Sequence, residues 1–350
     1  MAKTDRLKSK RFLSLLAVCL ITALLTAQCA SIAPTNQPSA SPATRVAIVP
    51  PGFTSPFHVA IKDGAEEAAT KLGWQIDVVA PEQEGDFAGQ VRVVEQELEK
   101  GVAALSVNPN NANAIAPAVK KANQAHTPVF MQNLITPINE GEVVEYIGYN
   151  QWNGAVKLAK YTCDLLHGKG VVYILMGIPG FHANRRTQGY KWGLEQNCPG
   201  VKVIGEQTAE WEREKAVNVA TLALQQHPEI NVFYGNSDEM GIGACIAAKK
   251  LGRTINKDIW CVSIDGNDVT LDLIEKGGVT ATLGVYPKLM GATVIQQMQK
   301  VLAGQKVPYI LETASVVVDK TNLAVYKSGS LWSDPVEGQP EVDDGRPTGQ

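Results

Sequence analysis

The chain has 350 residues, 45% of them hydrophobic, with 32 basic residues against 35 acidic ones and a formal net charge of -3. That is enough for about two globular domains, and it excludes the strongly basic balance of a nucleic-acid binder.

The chain opens with a basic stretch, Lys3, Arg6, Lys8, Lys10 and Arg11, followed by the apolar run Phe12 to Ala27, "FLSLLAVCLITALLTA". This order marks an export signal, expected over residues 1–28, with an uncleaved membrane anchor as the alternative reading. The stretch "LLTAQCA" resembles the lipobox of bacterial lipoproteins, although Gln28 stands where a small residue is usual. The resemblance implies lipidation of Cys29, a membrane tether through the acyl chains, and a location in the periplasm or on the cell surface. Residues 29–44, rich in Ser, Pro, Ala and Thr, read as a lipidated start and flexible tether. At the far end, "SDPVEGQPEVDDGRPTGQ" has the same character, and residues 326–350 are expected to be a disordered tail. Cys163, Cys198, Cys245 and Cys261 match no metal-ligand spacing and are expected to be buried free thiols, with Cys163 to Cys198 the first pair to test.

Strand-like apolar runs begin near Val46, Ile76, Ala103 and Val129, and again near Val171, Val201, Ile230, Ile259 and Val279, mostly with helical segments between them. This is the rhythm of repeated βαβ units. Ser55 and Pro56 open a helix with Ile61, Ala65, Ala68 and Leu72 on one face; Asp86 opens another with Phe87, Val91, Val94 and Leu98. The rhythm breaks after "VVEYIGYNQ", where Trp152, Val156, Ala159, Cys163 and Leu166 start a second series. The expected fold class is therefore α/β, with two doubly wound parallel-sheet lobes.

In such sheets ligands bind beyond the carboxyl ends of the strands. The loops there contain no G-x-G-x-x-G, Walker, H-E-x-x-H, C-x-x-C or G-x-S-x-G motif, which argues against nucleotide, zinc and serine chemistry of standard types. No cofactor, resident metal or catalytic set is expected, so the chain does not read as an enzyme. A metal shared by His58, His182 and Asp265 is the minor alternative. What the loops do carry, rings beside planar polar groups, suits a neutral polyhydroxyl ligand. Phe57 and Trp211 are candidate rings; Asn108, Asn133, Arg186 and Asp265 are candidate hydroxyl partners. Each has an ordinary alternative as a staple, a cap or a solvated charge.

Several stretches, "SPFHVAIKDGAEEAATKLGW", "GVAALSVNPNNANAIAPAVKKANQAHTPV", "AEWEREKA", "NSDEMGIGA", "VSIDGND" and "GVTATLGVYP", together resemble the periplasmic sugar-binding proteins of the ribose- and galactose-binding type. The resemblance runs from about Arg45 to Asp319. It implies a type I periplasmic binding protein fold, with an N-terminal lobe of residues 45–148 plus 286–312 and a C-terminal lobe of residues 149–285 plus 313–325. Three crossings near Gly148 to Gln151, Val285 to Pro287 and Leu311 to Ser315 would form the hinge, with one ligand in the cleft. The resemblance also implies a monomer that captures a monosaccharide and delivers it to the permease of an ABC importer, with no nucleic-acid partner. A secreted sensor for a non-sugar small molecule, without transport, is the alternative. Regulators of the lactose-repressor family share the core, but a signal stands here in place of their DNA-binding helices.

By the same resemblance Phe57 is an aromatic wall with Ser55 and His58 beside it, Asn108 lies at the cleft, and Trp211 is the stacking platform. Arg185 or Arg186 is the cleft arginine, with Asn184 also in play; Asn236 and Ser237 precede the "DEM", and Asp265 binds hydroxyls. Asn133 and Leu134 replace an Asp-Arg pair of the ribose branch, and Val285 with Tyr286 replaces its Gln. One wall is thus less polar than in that branch, and ribose itself is not the expected ligand.

Overall fold

A computed structural model describes residues 43–341. The expected signal, Cys29 and the tether up to residue 42 lie outside the described residues, as do residues 342–350. No helix among the described residues is long and apolar enough to cross a membrane.

The first series runs β1 (Arg45–Val49), α1 (Pro56–Lys71), β2 (Gln75–Val78), α2 (Phe87–Glu99), β3 (Ala104–Val107), α3 (Ala112–Gln124), β4 (Val129–Gln132) and β5 (Glu145–Gly148). The second runs α4 (Gln151–Leu165), β6 (Lys169–Met176), α5 (Phe181–Asn197), β7 (Gly200–Thr208), α6 (Arg213–Gln226), β8 (Val232–Gly235), α7 (Asp238–Lys250), β9 (Trp260–Asp265), α8 (Asp268–Glu275) and β10 (Ala281–Gly284). The chain ends with α9 (Pro287–Leu302), β11 (Ile310–Glu312), β12 (Val316–Val318), α10 (Leu323–Lys327) and β13 (Val336–Glu337).

These strands form two sheets, ordered β13-β11-β5-β4-β3-β1-β2 and β12-β10-β9-β8-β6-β7, parallel except for the antiparallel edge strands β13 and β12. Both are doubly wound. In β1, Val46 and Ile48 pack with Ile61 of α1 and Met290 and Val294 of α9, while Ala47 and Val49 join Val94 of α2 and Ile115 and Val119 of α3. The period-two alternation of a strand buried on both faces produces this split. The second sheet is covered likewise by α4 and α5 on one side and by α6, α7 and α8 on the other.

Local signals start the helices where the sequence places them. The Ser55 side chain accepts from Phe57 N with Pro56 at the first position of α1, and the Asp86 side chain accepts from Gly89 N at the start of α2. In α2 the buried positions include Gln90 and Glu97 as well as Val94, while Phe87, Val91 and Leu98 are half-buried. The stripe is therefore rotated toward polar residues: Gln90 binds the loop after β3, and Glu97 accepts from Lys100 Nζ at 2.7 Å at the end of its own helix.

The chain leaves the first sheet after Gly148, returns after Gly284, and leaves again between β11 and β12; Thr313 N donates to Gly148 O at 2.9 Å, tying two of these crossings side by side. Two expectations are corrected. The tail expected to be disordered from residue 326 carries the end of α10 and then β13, which pairs with β11 in the first sheet. Burial and backbone pairing outweigh its polar composition as far as Glu341, which is 2% exposed. The four cysteines are not free thiols: Cys163 is bonded to Cys198 and Cys245 to Cys261, with Cα separations of 5.7 and 6.0 Å. Adjacent packing of α4 on α5 and of α7 on β9 brings each pair within disulfide reach.

Candidate ligand-binding site

The loops at the carboxyl ends of both sheets close around one cavity. The first lobe contributes Ser55, Phe57 and His58 at the start of α1, Glu84 before α2, Asn108 to Asn110 after β3, and Asn133 after β4. Facing them, the second lobe contributes Ile178 and Gly180 to His182 after β6, Arg186 in α5, Trp211 after β7, Ser237 before α7, and Asp265 at the end of β9. Phe57, Asn108, Asn133, Arg186 and Asp265 are each at most 4% exposed, so the cavity lies between the lobes and largely out of solvent.

Nine of the thirteen residues singled out in the sequence meet there: Ser55, Phe57, His58, Asn108, Asn133, Arg186, Trp211, Ser237 and Asp265. Four do not. Asn184 is exposed on the outer side of α5. Arg185 turns the other way, its Nη2 donating to Thr136 Oγ1 at 3.4 Å and its guanidinium 4.9 Å from the Phe181 ring centroid. Asn236 lies behind the wall, its Oδ1 accepting from Gly177 N and Thr187 Oγ1. Tyr286 occupies a separate groove, stacked on Tyr326 at 4.3 Å between ring centroids; its left-handed backbone, φ 53°, directs the ring there.

Each lining side chain is set by its loop. Asn111 does the capping of α3, its side chain accepting from Asn113 N and Ala114 N, which leaves Asn108 free of that task. The loop is pinned by Gln90, whose Nε2 donates to Asn108 O at 2.7 Å and whose Oε1 accepts from Asn110 N at 2.8 Å. Ser237 is the N-cap residue of α7 yet makes no side-chain cap bond. Trp211 has φ 68° and its indole lies against Gly177, where any Cβ would overlap the ring; only glycine permits that approach. Phe57 belongs both to the core and to the cavity wall, its ring edge-on to His58 at 5.2 Å.

Arg186 organises the charge. Its Nε donates to Gln151 Oε1 at 2.9 Å, and its Nη1 donates to Asn236 O at 2.6 Å and reaches Asp265 Oδ1 at 3.4 Å. The guanidinium also stands 5.4 Å from the Trp211 ring centroid, within cation–π range. Burial pushes the Asp265 carboxyl well above its ordinary range, a shift that the Arg186 guanidinium only partly offsets. The other oxygen, Oδ2, accepts from Asp238 N at 3.2 Å. Asp238 in turn accepts from Ser263 Oγ, Thr282 Oγ1 and the backbone of Gly266 and Asn267, fixing the turn that carries Asp265.

Around the cavity five buried atoms have no hydrogen-bond partner within the protein: His58 Nδ1, Asn108 Oδ1, Asn133 Oδ1, His182 Nε2 and Ser237 Oγ. Leaving a buried polar atom unpaired costs about 1–3 kcal/mol, so five around one cavity mark a surface built for a polar ligand. Among the described residues no group of three or more His, Cys, Asp or Glu side chains could hold a metal ion. Sequence reasoning singled out the loop "GIPGFHANRR" for its arginines but not Phe181, and it missed Glu84 and Asn110. Aromatic and amide content in loops already marked as strand-end loops was the available signal.

A family model for the periplasmic binding protein domain matches residues 46–306. The ribose import binding protein of Bacillus subtilis is 32% identical over 257 residues, 73% of this chain and 80% of that protein. Its counterpart in Escherichia coli is 30% identical over 263 residues, 75% of this chain and 86% of that protein. Among solved structures, a periplasmic solute-binding protein of an Actinobacillus succinogenes ABC transporter with bound D-allose superposes with a TM-score of 0.75 at 28% identity, covering 81% of this chain and 99% of that one.

Proposed function

This chain belongs to the periplasmic binding protein family, as a sugar-binding component of an ABC importer and not an enzyme, and we propose that its ligand is an uncharged monosaccharide held between the two lobes. The family setting is extracytoplasmic. Relatives that serve importers set aside the reading of a non-sugar sensor without transport.

One observation carries the reading of the ligand: five unpartnered polar atoms from both lobes line a cavity whose central charges, Arg186 and Asp265, are already paired with each other. Hydroxyl groups both donate and accept, so a sugar satisfies histidine, amide and hydroxyl partners at once without adding a charge. The rings of Phe57, Phe181 and Trp211 supply the apolar contact that a pyranose or furanose face needs. Because groups from both lobes face one ligand, binding favours the closed arrangement, and closure is the signal a permease reads. Leu134 and Val285, where the ribose branch carries Arg and Gln, lie in the cores of the lobes and leave the cavity without those two polar groups, which is the ground for proposing a monosaccharide other than ribose. We further propose a monomer anchored through a lipid on Cys29, a reading supported by the basic start, the apolar run and "LLTAQCA".

A thermal-shift screen of pentoses, hexoses and polyols tests the ligand class, since a ligand that binds only the folded state raises the midpoint by mass action. At least one neutral monosaccharide should raise it. A response confined to another class of small molecule would refute the reading.

A further inference from the structure

Asn133 lines the cavity without a cationic donor, the next residue, Leu134, is buried in the core of the first lobe, and His182 lines the same cavity. The protonation of His182 is fixed by its neighbours. Gln151, the first residue of α4, is fully buried, and both of its amide atoms are committed. Its Oε1 accepts from Arg186 Nε at 2.9 Å; a guanidinium only donates, so this contact sets which end of the amide is oxygen. Its Nε2 donates to Asn133 O at 2.9 Å and lies 2.6 Å from His182 Nδ1. An amide nitrogen offers no lone pair, so Nδ1 must accept, and the ring proton belongs on Nε2. That Nε2 is one of the buried atoms without a partner in the protein.

We propose that His182 is a specificity-determining residue of this site: a neutral donor, locked in the Nε2–H tautomer by Gln151, that requires an acceptor oxygen on the ligand and rejects an ammonium group at the same place. The inference rests on the sugar-capture reading and deepens it. An arginine at this wall would supply a donor together with a charge; an imidazole pinned by a neutral amide supplies the donor alone. The surroundings keep the ring neutral. Burial holds its pKa well below the usual histidine value, and Arg186 on the same helix and His58 from α1 repel a second positive charge. The neighbouring carboxylates do not offset this, since Asp265 is paired with Arg186 and Glu84 Oε1 faces His58 Nε2 at 3.8 Å.

Two measurements on the full chain test the proposal. Long-range proton–nitrogen spectra of imidazole-labelled protein, with His182 assigned by its loss in His182→Gln, should show a neutral ring protonated at Nε2 from about pH 5 to 8. An Nδ1–H ring, or protonation near pH 6, would overturn it. Calorimetry should then compare the tightest-binding monosaccharide with its monodeoxy analogues. One analogue should bind the wild type about tenfold or more weakly, His182→Ala should weaken the parent sugar by a similar factor while no longer distinguishing that analogue, and His182→Gln should recover part of the loss. Unchanged affinity and discrimination in His182→Ala would overturn the assignment. The spectra need no ligand, so they decide the locked tautomer even if every sugar fails, an outcome that would count against the sugar reading instead.

Discussion

Asn184, Arg185 and Arg186 are consecutive, and nothing in their identities says which one enters the cleft. The 100° step per residue of α5 decides it: the three side chains point to solvent, to Thr136 and Phe181, and to the cavity. A one-residue doubt in where a helix starts moves a side chain by a quarter turn, and sequence alone leaves that doubt. Tyr286 fails for a related reason, since its left-handed backbone could not be foreseen from a Val-Tyr-Pro stretch. Phe57, Asn108 and Asp265 were legible because strand ends and caps fixed their positions. Trp211→Ala should weaken sugar binding about tenfold or more by calorimetry, because it removes both a ring from the wall and the cation–π partner of Arg186. An unchanged affinity would remove Trp211 from the site.

A second prediction at this scale concerns Glu145, fully buried in β5, where burial pushes its carboxyl from 4.5 to about 8 while Lys300 pulls it down. Below the unfolded value the group is protonated in both states and costs nothing. Between 4.5 and about 8 the folded state keeps a proton that the unfolded state has lost, so stability falls as pH rises, and the cost is complete above about 8. Glu145→Gln should therefore raise the melting midpoint at pH 8 by a few degrees and leave it nearly unchanged near pH 4.5, each kcal/mol being worth roughly 2–4 °C in a chain of this size. A gain of equal size at both pH values would contradict the assignment.

At the level of elements, the long strands and amphipathic helices were legible because apolar periodicity, Ser55, Pro56 and Asp86 agree with one another. The short strands β11, β12 and β13 were not, since two or three residues carry no measurable period. Free thiols were expected, with Cys163 to Cys198 the first pair to test, because spacing along the chain says nothing about which elements pack together. The Cys163–Cys198 bond closes a 35-residue separation between α4 and the end of α5, which by chain-entropy reasoning stabilises by about 3–4 kcal/mol. Replacing both cysteines with serine should lower the melting midpoint by several degrees with ligand affinity little changed, since neither residue touches the cavity. Gln90→Leu should do the reverse: it frees the loop of Asn108 and Asn110 and should weaken binding several-fold, with a smaller effect on the midpoint.

At the scale of the whole molecule, the resemblance implied three crossings, and the structure has a fourth. From α10, beside α8 in the second lobe, the chain returns to pair β13 with β11 in the first. Glu341 then joins the two lobes: its backbone N donates to Ile135 O, Thr136 Oγ1 donates to its carbonyl, and its Oε1 accepts from Trp152 N at the start of α4. A strap of this kind favours one arrangement of the lobes over others. Deleting residues 333–350 should weaken sugar binding several-fold, chiefly through faster release measured by stopped flow, and release as slow as in the intact chain would show that the strap does not hold closure.

The central claim is that two lobes close on a neutral sugar around charges that have already cancelled. Titration calorimetry of the tightest-binding monosaccharide against its uronic-acid and amino-sugar counterparts tests this most directly. The neutral sugar should bind at least about 100-fold more tightly than either charged counterpart, a gap of roughly 2.7 kcal/mol set by burying an unpaired charge. Equal or tighter binding of a charged counterpart would contradict the account.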